Sequence, residues 1–173
     1  MGKEADYVNK TKKLTITGIM AALITLMTAY ICHIPVGVNG GYVHFGDSLI
    51  YLTATLLPTP YALAAAAIGG GMADLLTAPM WAPATIVIKM LLVLPFTSRT
   101  TKIVTVRNVV ATVLGYFISG IGYFIAEYFL FGSWSVLLVS MLQTLIQSAG
   151  SAIVFFALGT AFDRAHIKVR FFT

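Results

Sequence analysis

Four ionisable side chains set into apolar sequence constrain this chain more than anything else. Asp47, Asp74, Lys89 and Glu127 each lie inside or at the edge of an apolar run. All other charged residues gather in the N-terminal segment, in residues 97–107 and in the C-terminal tail. Only 10% of the 173 residues are charged and 58% are hydrophobic, where a soluble domain carries about 25% charge. The deficit implies an integral membrane protein, and the length implies one domain. Inside a bilayer a charge is costly unless it is paired or solvated, so these four positions mark structure or function.

The apolar runs cover residues 14–32, 45–57, 61–77, 84–96, 108–130 and 136–162. The first is nineteen residues, enough to cross a hydrocarbon core. It is also too long for the core of a cleavable leader, and no Ala-x-Ala-like site follows it. The second and fourth are short and would need tilt or local thinning to cross. Pro58 and Pro60 separate the second from the third, because proline interrupts helical hydrogen bonding. The expected fold is an all-α membrane protein, a six-helix transmembrane bundle. Its expected parts are an N-terminal cytoplasmic segment over 1–13, a transmembrane domain over 14–162 and a basic cytoplasmic tail over 163–173. Of eleven Lys and Arg only Lys89 lies within a run, so the other ten sit in three segments that six crossings place on one side. The connections at 33–44, 78–83 and 131–135 hold no Lys or Arg. Positive residues favour the cytoplasm, which puts both termini inside and predicts a multi-pass plasma-membrane protein. The same dispersal argues against a nucleic-acid surface. Cys32 is the single cysteine, so no internal disulfide framework exists.

The depths of the four charges agree. At about 1.5 Å per helical residue, all four lie within roughly 10 Å of the outer end of their runs. Odd and even runs travel in opposite directions, so sequence spacing does not force this match. Asp47 is open to two readings, an N-cap on the second helix and support for a pocket. Asp74 and Lys89 form a candidate ion pair between adjacent helices, and Asp74 is the other pocket support. Glu127 has no evident sequence partner and is the stronger candidate to accept bonds from a solute. Gln143 and Gln147, one turn apart, can line the same face or bond neighbouring helices. Tyr42, Trp81, Tyr123 and Tyr128 fall near the same end, as an interfacial belt or as stacking surfaces for a flat ligand. Asn39 and His44, in or beside the Gly-rich connection, complete the expected substrate-binding set with Lys89. His33 and His44 are a weak basis for a metal, and no metal or cofactor is expected.

Small residues form stripes. Gly18 and Ala22 are four apart, as are Ala21, Thr25 and Ala29. Such stripes let a second helix approach closely, inside the bundle or on a partner. The chain has no Gly-x-x-x-x-Gly-Lys-Ser/Thr phosphate loop and no His-Glu-x-x-His, so neither chemistry is available by those motifs. Gly69-Gly70-Gly71 follows no strand and reads as helix packing. His44, Asp47 and Ser48 contain nucleophilic-triad residue types, but local spacing alone does not build a triad.

Taken together, Ala21-x-x-x-Thr25-x-x-x-Ala29, Gly-Tyr-Val-His-Phe-Gly-Asp ending at Asp47, Gly-Gly-Gly-Met-Ala-Asp ending at Asp74, and Lys89 resemble the S component of energy-coupling-factor (ECF) vitamin transporters. The resemblance covers roughly residues 14 to 162. It implies a subunit that binds a vitamin or precursor from outside, under its first connection. It also implies docking through the first helix, by Gly18, Ala21, Ala22, Thr25 and Ala29, on a transmembrane T component carrying two ATPase subunits. ATP use would then topple the S component and release the solute inward. The chain itself would not be an enzyme. Within the family it is most similar to S components for hydroxymethylpyrimidine or pyridoxine-type vitamins, while thiamine, riboflavin, biotin and queuosine precursors stay open. The competing reading is a self-sufficient channel or secondary transporter using the Asp/Lys/Glu cluster as an ion relay.

Overall fold

The computed structural model describes residues 2–31, 33–35, 42–132 and 137–171. Asn39 lies outside them, and Tyr42 is described by its backbone alone. Helices α1 (Gly2–Ala29), α2 (Gly46–Leu56), α3 (Thr59–Thr77), α4 (Ala82–Val93), α5 (Val106–Phe131) and α6 (Leu137–Arg164) form the bundle. A short α7 (Ile167–Phe171) follows. Two details depart from expectation. The connection before α2 holds a small antiparallel ladder, β1 (Ile34–Pro35) on β2 (Tyr42–Val43). The polar segment ahead of residue 14 is helical and continuous with α1.

The molecule is apolar outside and partly polar inside. Ile153 is 69% exposed and Phe129 82%, while Asp47, Ser48, Thr53 and Ser119 are fully buried. Water would not tolerate so continuous an apolar exterior, but lipid does. α5 and α6 include stretches long and apolar enough to cross a bilayer, as does residue 9 to 29 of α1. α2 has 11 residues and α4 has 12. At about 1.5 Å per residue each falls well short of the roughly 30 Å core.

Glycines set the helix spacing. A Cβ on Gly69 would stand 2.7 Å from Ile24 Cβ and 2.9 Å from the Ala21 carbonyl. α1 and α3 therefore touch backbone to backbone, and Thr25 Oγ1 donates to the Gly69 carbonyl at 3.1 Å. A Cβ on Gly70 would meet Lys89 Cγ at 2.8 Å, so α3 leaves a channel for the lysine stem of α4. α4 lies against α5, α5 against α6, and α6 returns to α2.

At the opposite end from the β ladder, two side chains fold residues 94–105. Asn108 accepts from the Thr97 amide at 2.9 Å and donates to the Ile103 carbonyl at 2.9 Å. Asp163 accepts from the amides of Ile103 (2.7 Å) and Val104 (3.0 Å). Asn108→Ala should lower stability by about 1–3 kcal/mol, since it strips a buried backbone of its partners. Thermal unfolding in detergent checks this, and an unchanged midpoint would remove Asn108 from the clasp.

Candidate functional site

The site begins with the way α2 starts. Phe45 is the residue before the helix and makes no side-chain cap. Asp47 lies in the first turn and is fully buried, so its carboxylate serves tertiary contacts and the N-cap reading is corrected. Lys89 Nζ of α4 donates to Asp47 Oδ1 at 2.5 Å, and Gln147 Nε2 of α6 donates to Oδ2 at 3.0 Å. One carboxylate thus joins three helices, each oxygen holding its own donor. Lys89 is 1% exposed. A buried pair of this kind persists only when both charges are well bonded. The expected Asp74–Lys89 pair gives way to Asp47 as the bonded partner of Lys89. Gln147, expected either to line this face or to bond a neighbouring helix, is the second donor, to α2.

Aromatic groups of α5, and Trp81 just before α4, stand beside the pair. Lys89 Nζ lies 5.5 Å from the Tyr123 ring centroid, within cation–π range. The Tyr123 hydroxyl is 3.0 Å from Thr85 Oγ1. The Trp81 ring lies 6.2 Å from Tyr123 and 6.1 Å from Phe131. The indole N–H of Trp81 is buried and has no hydrogen-bond partner among the described residues. A buried donor of this kind calls for an acceptor.

Register places the other two acids. Asp74 is one turn along α3 from Gly70, which the Lys89 stem crosses. Glu127 is one turn along α5 from Tyr123. Both are buried, at 3% and 6% exposure. Gln143 is half-buried on α6, a turn before Gln147. Tyr128 is 37% exposed and turns outward, which suits the interfacial belt. His44 is buried, and its Nδ1 accepts the Gly46 amide at 3.0 Å. That bond fixes the turn into α2, helped by Gly46, where any Cβ would collide with the Thr28 side chain.

The small-residue stripe of α1 divides. Ala21 and Ala29 are buried in the bundle, and Thr25 is half-buried on Gly69. Gly18 and Ala22 face outward, with nothing near the Gly18 Cβ position. The five residues expected to dock a partner therefore do not share one surface, because α3 already occupies one side of the stripe.

Two comparisons bear on this arrangement. The chain matches, over residues 8–164, a family model described as ECF-type riboflavin transporter, S component. It is also similar to a Pyrococcus woesei protein described as "Uncharacterized protein in gap 3'region". That similarity is 34% identity over 109 residues, 61% of this chain and 72% of the relative.

Proposed function

Because the chain belongs to the ECF-type riboflavin transporter S component family, it is a vitamin-binding membrane subunit of an ECF transporter, and we propose that it captures a small heteroaromatic vitamin or precursor at the β-ladder end of the bundle. That end faces outward. Six crossings carry the chain through the plasma membrane, with both termini in the cytoplasm. The solute is of the hydroxymethylpyrimidine or pyridoxine type. It enters beneath the connection that contains Asn39 and Tyr42, near His44.

One observation supports this reading above the rest: the buried Trp81 N–H, without a hydrogen-bond partner among the described residues, beside the Phe131 ring and the Tyr123 ring that Lys89 approaches. Aromatic walls suit a flat ring, and a few fixed polar groups suit its edge. Trp81 donates to a ring acceptor. Glu127 accepts from an amino or hydroxymethyl group, with Gln143 on the same wall. Asp47, held by Lys89 and Gln147, keeps the floor rigid, and Asp74 supports it from α3. Transport is completed by a T component and two ATPase subunits, to which the outward Gly18–Ala22 side of α1 presents itself.

Calorimetry on the purified chain tests the assignment with hydroxymethylpyrimidine, pyridoxine and riboflavin, the last being the vitamin named in the family description. Tight binding of one of the first two is expected. Preference for riboflavin would replace the proposed solute. Glu127→Gln should weaken binding by about tenfold or more, equivalent to about 1.4 kcal/mol, at an unchanged unfolding temperature. Equal affinity would take Glu127 out of the site. Accumulation of solute by liposomes containing this chain alone would overturn the division of labour with ATPase partners.

A further inference from the structure

Buried hydroxyl groups stand beside and below the charge cluster. Tyr51 is one turn beyond Asp47 on α2, and Ser151 is one turn beyond Gln147 on α6. Since Asp47 and Gln147 are bonded to each other, the next turns also meet, about 6 Å deeper. The Tyr51 ring confirms this by packing edge-on against Phe155, one turn past Ser151, at 5.9 Å. The Tyr51 hydroxyl reaches across to α5, where it would stand 3.0 Å from a Cβ on Gly115. Ser119 lies one turn along from Gly115 on that face. Ser148 follows Thr144 by one turn on α6, and Thr144 lies at Gly120 of α5.

These placements bring Tyr51, Ser119, Ser148 and Ser151 to the junction of α2, α5 and α6. All four are at least 95% buried, and none of their hydroxyl oxygens has a hydrogen-bond partner among the described residues. Single orphan hydroxyls occur in many proteins. Four at one junction, beside a bonded carboxylate, form a pattern, because each carries a desolvation cost that a shared ligand removes. The ligand must be small, must both donate and accept, and must fit between closely approaching helices. Water meets all three conditions, and a buried water typically bonds about three polar groups.

We propose that the α2–α5–α6 junction is a hydration site, in which ordered water bridges the Tyr51, Ser119, Ser148 and Ser151 hydroxyls beside the Asp47–Gln147 contact. The site gives the charge cluster a polar flank within the membrane interior. It does not depend on which solute binds above.

An experimental map that resolves ordered solvent tests this directly. Solvent density within bonding distance of two or more of the four hydroxyls is expected. Serine hydroxyls donating to carbonyls of their own helices, with no density between helices, would overturn the site. Unfolding temperatures give an independent reading. Tyr51→Phe, Ser148→Ala and Ser151→Ala should each lower the midpoint by about 2–4 °C, because each removes an anchor for water. A rise in the midpoint for these variants would show that the hydroxyls are unsatisfied in the native protein, and would also overturn it.

Discussion

Asp47→Ala should destabilise the folded protein by about 3–5 kcal/mol. It leaves the Lys89 ammonium buried without its bonded carboxylate and frees Gln147 from α2, and stranding one member of a buried pair has that typical cost. Lys89→Ala should cost a similar amount by stranding the carboxylate. Asp47→Asn combined with Lys89→Met removes both charges at similar volume and should recover most of the stability, since neutral replacements of buried pairs are often tolerated. Binding then separates two roles for the pair. If it only fastens helices, the double variant binds solute normally. If it also shapes the pocket floor, the double variant folds but binds at least tenfold more weakly, and that is the outcome expected here. Unfolding curves and calorimetry on the same samples give both readings.

The second large effect concerns α1. Ala21→Leu should disrupt the bundle, because Ala21 is buried and its carbonyl lies against Gly69. Overpacking of this kind typically costs about 1–3 kcal/mol, and more where backbone would have to move. Ala22→Leu, one residue along, projects outward and should leave the unfolding temperature and solute binding unchanged. Its effect should appear in co-purification with the T component, where a bulky side chain prevents close approach. If Ala22→Leu unfolds the protein while Ala21→Leu does not, the placement of α1 on α3 is wrong. If Ala22→Leu leaves assembly intact, docking uses another surface.

The comparison between sequence and structure follows a physical division. Depth along a helix is fixed by residue count, and of the four charges expected at one depth Asp47 and Lys89 are bonded to each other, while Asp74 and Glu127 are buried. Lateral order was not readable. Lys89 was matched with Asp74 because α3 precedes α4, yet its bonded partner comes from α2. Nothing in a helical period says which two neighbours a central helix will have. The same gap explains Gln147, expected to line a face or bond a neighbouring helix, with nothing in the sequence to say that the bond would go to Asp47. It also explains Ala21 and Ala29, whose small size fits an internal contact as well as an external one. Asn108 and Asp163 passed unnoticed because they bond the backbone of residues 97–104, and such bonds have no sequence period. The glycines carried the clearest packing signal, for Gly69 and Gly70 admit a neighbouring backbone and the Lys89 stem.

The proposed capture of a ring beside Trp81, Tyr123 and Glu127 is open to a direct measurement. Protein purified from cells grown on rich medium is denatured, and the released small molecules are identified by mass spectrometry beside a Glu127→Gln sample. A stoichiometric heteroaromatic compound bearing amino or hydroxymethyl groups, depleted in the variant, is the expected result. Release of the same compound in equal amount from both samples, or of lipid alone, would contradict a binding site at this place.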